Sequence, residues 1–430
     1  MGPDQGRLDG TAGPGRANGA RVAYVMSRFP KVTETFVLYE MLALEVLGFE
    51  VEVFPLLRER EPVVHAEARA LVERAHYTPF LSRAILAAHL HFLARAPRAY
   101  LATLVQVLVR TLPSPNYLAG ALCFFPKSVL FAREMERRGV THVHAHFANH
   151  PALAALIVHR LTGIPFSFTA HGSDLHVDQT ALAWKLTAAA FGVTVSRYNR
   201  EFVRERVGAQ AADKLQVIHC GVDLASLPRA DGVASPSLEI LCVAALRAVK
   251  GHRHLIEACR LLRSSGLSLR CHLVGGGPLE RTLRREIERA GLREQVLLHG
   301  PLPRADVLAR MRASHVLVQP SIVDRAGRRE GIPVTLMEAM ACGLPVVASR
   351  LSGIPELIED GRSGLLVPPG DARALAEALA RLRSAPELCA ELGRNARARV
   401  EAEFDLRVNA RQLAEAIRRV AGARATRAGE

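Results

Sequence analysis

The chain has 430 residues, 49% hydrophobic and 23% charged, which is too long for one ordinary core, suits two domains, and excludes a disordered chain. Basic residues outnumber acidic ones by 56 to 42, giving a net charge of +14. With aromatics at 5% and no nucleic-acid-binding motif, that charge points away from DNA and RNA, and leaves either an arginine-favouring coding bias over a solvated surface or attraction to anionic substrates and membrane headgroups.

Residues 1–20, rich in Gly, Asp and Pro, read as a disordered tail and not as a signal peptide. Arg21 to Ser27 predicts a first strand, followed by a polar loop over Arg28–Glu34. Phe36, Tyr39, Met41, Leu42 and Leu44 then mark a helix, and Val51, Val53 and Leu56 a second strand. Strand, loop, helix and strand at this spacing make a βαβ unit. Further strands are predicted at His142–Phe147, Pro165–Thr169 and Gly192–Ser196. Residues 80–132 interleave apolar side chains with scattered Arg and His. They read either as helices packed on the sheet or as a basic amphipathic surface lying on a membrane. No uninterrupted apolar run reaches the roughly 18 residues of a transmembrane helix.

The polar stretch 229–237 reads as a linker. A second series follows, with strands at Leu238–Val243, Arg270–Val274, Val296–Leu298, His315–Gln319, Pro345–Ser349 and Gly364–Val367. Most are continuous apolar runs, the pattern of a parallel sheet covered on both faces. A last helix is predicted over Leu406–Val420. The expected architecture is α/β: two doubly wound, Rossmann-like domains (21–228 and 238–405) facing across a cleft, with 406–430 returning to the first. Ligands of such sheets bind at the carboxyl ends of strands.

The seven cysteines (Cys123, Cys220, Cys242, Cys259, Cys271, Cys342 and Cys389) form no CxxC pair. This argues against a disulfide framework and a zinc site, and for a reducing, cytoplasmic compartment. Gly275-Gly276-Gly277-Pro278 is not GxGxxG, so a nicotinamide cofactor has no support.

The most informative run is Glu330-Gly331-Ile332-Pro333-Val334-Thr335-Leu336-Met337-Glu338. Pro333 falls where a helix would start, and Gly343 where it would end. Two acids flanking a helix N-terminus can hold hydroxyl groups while the helix end holds a phosphate. That combination suits a sugar nucleotide.

With Cys342–Ala348, Gly353-Ile354-Pro355-Glu356-Leu357-Ile358 and Gly361–Asp371, this run resembles the donor-domain motif of the retaining, two-Rossmann-domain (GT-B type) glycosyltransferases of family 4. The resemblance is dense across 215–371 and looser across 21–200. Ser27-Arg28-Phe29-Pro30-Lys31-Val32-Thr33-Glu34-Thr35-Phe36 is similar to the bacterial capsule and exopolysaccharide branch, which includes colanic-acid-type transferases.

The resemblance implies roles by position. Glu330 would bind hydroxyls of the transferred sugar and Glu338 those of the ribose. Backbone N–H groups of Gly331, Ile332 and Val334 would contact sugar or diphosphate; Pro333 has none. Gly300 and Leu302 would border the base. His171, in Thr169-Ala170-His171-Gly172-Ser173-Asp174, would lie near the reacting sugar, and Lys250 would neutralise the leaving diphosphate. The family has an Arg five residues before this Lys. Here Ala245 stands there, and Arg247 is the expected substitute, with Arg28 and Lys31 the next candidates. His144 and His146 share a strand face, but no third metal ligand is evident, and no metal or cofactor is expected.

The reading is a metal-independent hexosyltransferase, cytoplasmic and peripheral on the inner membrane face. It moves a sugar from a nucleotide-sugar donor to a glycan or polyprenyl-diphosphate-linked acceptor. The alternatives are a sugar-nucleotide epimerase of similar fold and a non-catalytic scaffold of a polysaccharide assembly complex.

Overall fold

A computed structural model of the chain describes residues 20–31, 34–59, 66–229 and 235–429. The tail expected over 1–20 therefore lies outside the described residues except for Ala20, as do Val32, Thr33 and residues 230–234 of the linker stretch.

The first sheet contains β1 (Arg21–Phe29), β2 (Glu50–Arg58), β3 (His142–His146), β4 (Phe166–Ala170), β5 (Phe191–Thr194) and β6 (Leu215–Val217), in the order β2-β1-β3-β4-β5-β6. The second contains β7 (Leu238–Val243), β8 (Leu269–Val274), β9 (Val296–Gly300), β10 (Val316–Gln319), β11 (Val346–Ser349) and β12 (Leu365–Val367), in the order β12-β11-β10-β7-β8-β9. Every pairing is parallel. The chain is thus two doubly wound, Rossmann-like domains.

Parallel strands with helices on both faces are covered on both, and alternate residues feed opposite cores. Ala23 and Val25 of β1 face one core, under the helices of 83–161; Val22, Tyr24 and Met26 face the other. The second sheet divides likewise: Val316 and Val318 of β10 face one side and Leu317 the other. The sequence HVHAH of β3 is fully buried despite its three histidines. Neighbouring β4 supplies the partners that make this tolerable: Ser167 Oγ lies 2.7 Å from His142 Nε2 and 2.8 Å from His144 Nδ1.

The chain enters the second core before the polar stretch at 229–237. Val222 and Leu227 already pack with Leu241, Leu317 and Leu336. The crossing between domains runs beside the return crossing: Val222 pairs with Asp405 in a parallel bridge, and Leu406 N donates to Val222 O (3.1 Å). The final helix, Leu406–Gly429, puts Leu413, Ala414 and Ile417 against Val37, Leu38, Met41 and Leu44 of the first domain.

Residues 80–132 are helical: Arg83–Arg95, Pro97–Thr111 and most of Pro115–Arg137. One face packs into the first core through Ile85, Phe92, Val107 and Phe125. The other shows Leu81, Leu86, Leu90, Leu101, Val105, Val109 and Leu112 to solvent, Leu81 at 90% exposure. Among the described residues no single helix is long and apolar enough to cross a membrane, and the first two of these meet at 117°.

Candidate active site

Ligands gather where strand order reverses, outside the carboxyl ends of two neighbouring strands whose connections run in opposite directions. In the second sheet that point lies between β7 and β10. The loop after β7 carries Arg247 and Lys250; the loop after β10 carries Glu330. Across 80 residues of sequence, Lys250 Nζ comes within 2.9 Å of Glu330 Oε2. Both side chains are mostly buried. Lys250 closes a short 3-10 turn, and Gly251 follows at φ +67, where a Cβ would sit 1.8 Å from Pro320 O. Only glycine fits, and the turn holds Lys250 beside the loop that delivers Glu330.

That loop ends in helix Val334–Ala341, with Pro333 as its N-cap residue, one place before the expected N1, and Gly343 at φ +76 just beyond its end. Ile332 turns its side chain into the core and leaves only backbone for a ligand. Val334 is half-buried against the same core and is the first residue of the helix.

Glu338 is nearly enclosed on this helix. Burial pushes its carboxyl above the usual range, and Arg304 opposes this with Nε 3.8 Å from Oε1. Arg304 also lies 5.4 Å from the ring of Tyr39, which reaches across from the first domain. It stands two residues beyond Leu302, so the connection that leaves β9 at Gly300 and passes through Leu302 reaches Glu338. Gly300 O accepts from Gly275 N (2.9 Å), and Leu302 packs onto the core. Arg304 carries no signal in the sequence, where it is one arginine among many.

The first domain contributes His171, directly after β4. Asp174 holds its loop, its carboxylate accepting from the N–H of Ala148 (2.8 Å), His171 (3.1 Å) and Gly172 (2.7 Å). Burial, then neighbouring His146, hold the His171 imidazole well below its usual pKa, against an upward pull from Glu40. The ring is neutral at pH 7. Its backbone meets the second domain: a Cβ on Gly331 would sit 2.2 Å from His171 O.

Further contacts tie the domains here. Glu356 caps helix Arg197–Arg206 from the other domain, taking the N–H of Arg197 and Tyr198, each at 2.8 Å. Arg329 Nη1 donates to Tyr198 OH (2.8 Å), and Ser173 Oγ donates to Arg329 O (3.2 Å).

Among the described residues, the side chains of the remaining candidates Arg247, Arg28 and Lys31 make no hydrogen bond or ion pair to this cluster; Arg247 meets it only through its backbone oxygen, which accepts from Lys250 N (3.0 Å). Arg247 is exposed and makes no ion pair among the described residues. Arg28 is exposed at the end of β1. Lys31 pairs locally with Glu34, whose carboxyl burial raises despite that pairing. The third group beside His144 and His146 does exist: it is Glu40, 106 residues from His146, and the three ligand atoms lie within 4.8 Å of one another.

The model of the Glycosyltransferase Family 4 matches residues 63–226, and that of the glycosyl transferases group 1 matches residues 227–399. WcaL of Escherichia coli (strain K12), named for a colanic acid biosynthesis glycosyltransferase, is 31% identical over 432 residues, covering 92% of this chain and 99% of its own. The amylovoran biosynthesis glycosyltransferase AmsK of Erwinia amylovora is 42% identical over 212 residues, 49% of this chain and 52% of that protein. Among solved structures, a glycosyltransferase from Rickettsia africae ESF-5 superposes with a TM-score of 0.70 at 18% identity, covering 94% of this chain and 99% of that one. Anabaena Alr3699/HepE in complex with UDP gives 0.69 at 18% identity, covering 92% and 98%. At that identity the superpositions establish the shared GT-B architecture. The near-complete match to WcaL and the two family models, contiguous from 63 to 399, carry the assignment further: the chain belongs to the family 4 glycosyltransferases.

Proposed function

We propose that this glycosyltransferase moves a hexose, with retention, from a nucleotide-sugar donor to a glycan or polyprenyl-diphosphate-linked acceptor during surface polysaccharide biosynthesis. The observation that carries this reading is the Lys250–Glu330 pair at the switch point of the second sheet, opposite His171. A cation for the diphosphate and a carboxylate for sugar hydroxyls then stand side by side. Glu338 holds the ribose hydroxyls, with Gly300 and Leu302 beside the base. The names of WcaL and AmsK support the polysaccharide assignment, and UDP and UDP-glucose in Anabaena Alr3699/HepE support the donor class.

In this reading the donor binds mainly the second domain and the acceptor approaches from the first. Glu330 and the backbone N–H groups of Gly331 and Ile332 orient the sugar, with His171 across the cleft. The carbon–oxygen bond to the diphosphate breaks as the acceptor hydroxyl attacks from the same face. The departing phosphate oxygen takes the hydroxyl proton, so no dedicated protein base is required. Lys250, Arg247 and the N–H groups at the start of helix Val334–Ala341 meet the developing charge without a metal ion. The reading is tested by a thermal-shift screen of nucleotide sugars, because a ligand at 100 times its Kd adds about 2.7 kcal/mol of stability. One base and sugar are expected to raise Tm; no shift with any nucleotide or nucleotide sugar contradicts the reading.

The clamp also assigns work to Arg247. Ala245 offers no charge where the family has Arg, whereas a guanidinium three residues before Lys250 can grip two phosphate oxygens. Arg247→Ala is expected to lower kcat/KM at least about tenfold, or about 1.4 kcal/mol of transition-state stabilisation. Ala245→Arg in that background is expected to restore part of the loss. Native kinetics for Arg247→Ala would make it a surface residue and move the second charge to Arg28 or Lys31.

We further infer that the protein works on the cytoplasmic face of an anionic membrane. Between Phe80 and Ala132 there is no Asp or Glu, while Arg83, Arg98 and Arg110 flank the exposed leucines of the bent helix pair. Each Arg near an anionic surface contributes about 1 kcal/mol, and salt screens it. Pelleting with phosphatidylserine-containing vesicles is therefore expected to fall as salt rises. Equal pelleting with neutral vesicles, or none, rules this face out.

A further inference from the structure

In the first sheet the strand order reverses between β1 and β3. Ligands gather at such a reversal, outside the carboxyl ends of the two strands. The side chains that gather there are aromatic. Phe36 lies in the first turn of helix Thr35–Val46, which follows β1. Phe147 comes directly after β3, and His171 directly after neighbouring β4. The three rings touch one another. Phe36 and Phe147 lie 4.6 and 4.9 Å from His171 between centroids, and 6.5 Å from each other at 75°. Each ring is half-buried. The backbone of His171 meets Gly331, so the trio stands at the seam with the second domain.

Phe147 is the unusual member. Phe36 packs onto the core of Val37, Leu38 and Met41, whereas Phe147 joins none of the hydrophobic cores among the described residues. Its backbone stands at φ +78, in the left-handed region. Among the described residues the other non-glycine side chains at positive φ are Ala181 and Ser352, and both are small. A bulky residue keeps such a conformation only where its surroundings impose it, and imposed conformations of this kind cluster at ligand sites. The restraints on Phe147 are specific. Its N–H donates to Thr169 O (2.8 Å). The next residue, Ala148, is held at both ends: its N–H donates to Asp174 Oδ2 (2.8 Å), and its carbonyl accepts from Lys185 Nζ (2.5 Å). Lys185 is fully buried, a costly place for an amine. Glycine would take the same turn without strain. The chain instead holds a phenyl ring there, half-exposed beside His171.

We propose that Phe147 is the platform on which a sugar ring of the acceptor stacks, with Phe36 and His171 completing that wall of the acceptor site. A pyranose has a face of C–H groups that packs on an aromatic ring while its hydroxyls stay at the rim. The proposal rests on the reading that the acceptor approaches from the first domain. It adds the residues that seat the acceptor, and it commits the reacting end of the acceptor to a sugar, whether free or carried on a lipid.

The test uses the full chain with the methyl glycosides of glucose, galactose, mannose and fucose as probes. Binding is read by saturation-transfer difference NMR with the aromatic protons irradiated. At least one glycoside is expected to bind, with the C–H protons of one ring face saturated most. Phe147→Gly removes the ring and the strain together. It is expected to raise the Kd of that glycoside at least about tenfold, the scale of one lost stacking contact, without lowering Tm. Phe147→Tyr, which keeps the ring, is expected to stay within about threefold of the wild type. In steady-state assays Phe147→Gly is expected to raise acceptor KM by a similar factor and to leave donor KM within about twofold. Phe147→Leu covers a glycine variant that folds poorly: it keeps apolar volume, loses the flat ring, and is expected to lose the same affinity. Wild-type glycoside affinity in Phe147→Gly or Phe147→Leu overturns the proposal. So does a wild type that binds none of the glycosides, or a loss that falls on donor KM instead. If the wild type binds a glycoside through Phe147 but transfers no sugar, the platform stands and it is the proposed function that fails.

Discussion

Glu330→Gln is expected to bind the donor nearly as well as the wild type and to lose transfer almost completely. The amide keeps the size of the carboxylate and one acceptor oxygen, so the donor is still seated by its nucleotide end. What it loses is charge at two places. The hydroxyls of the sugar no longer meet an anion, and a charged hydrogen bond of this kind is worth about 1.5–3 kcal/mol. Lys250 loses the partner 2.9 Å away that sets its position. Each 1.36 kcal/mol is tenfold in rate, so kcat should fall roughly ten- to a hundredfold from the first loss alone, and further from the second. Lys250→Ala should be at least as damaging. Because the two side chains touch, the double variant should lose less than the two single losses combined. Steady-state kinetics with isothermal titration of the donor separate the two effects. Wild-type turnover in Glu330→Gln would sink the assignment of this acid to the sugar.

The second large effect is expected from a single methyl group at Gly331. Its Cβ would fall 2.2 Å from the backbone oxygen of His171, far inside van der Waals contact. A backbone atom cannot swing away as a side chain can, so the relief open to Gly331→Ala is to part the two domains where they meet. The surrounding contacts are polar, of the kind that allows relative domain motion. Each core should therefore survive. Closure would not: His171 and Glu330 would no longer flank the same sugar, and water would enter. We expect kcat/KM to fall about a hundredfold or more, near 2.7 kcal/mol, with Tm little changed. A Gly331→Ala protein with native kinetics would show that the His171–Gly331 contact plays no part in turnover.

Much of the fold was legible because parallel strands buried on both faces are short apolar runs, which a sequence displays openly. β6 was not, since three residues show no period. The crossing between domains was misplaced because polar, Pro- and Ser-containing composition marks 229–237 as a loop, while packing begins at Val222 and Leu227. At the candidate site, Glu330 and Glu338 were singled out by motif and spacing, and Lys250 by the resemblance. That Lys250 meets Glu330 across 80 residues is a consequence of strand order, which periodicity does not encode. Glu40 sits on a helix beside the buried Leu38, Met41 and Leu44. An acid among apolar positions was a signal, but its partners come from two other strands. Glu356 lay inside a quoted motif, yet its partners are backbone groups of the other domain, and backbone partners leave no mark in a sequence.

The central claim is that one cluster, Lys250, Glu330 and His171, transfers a sugar from a nucleotide to an acceptor with retention. It is tested most directly by NMR of the product, formed in EDTA from the donor that raises Tm and a panel of glycan and polyprenyl-diphosphate-linked acceptors. Product is expected only when an acceptor is present, with the anomeric configuration of the donor preserved and product formation almost lost in Glu330→Gln. Donor converted without an acceptor into an epimeric nucleotide sugar, or a product of inverted configuration, would contradict it.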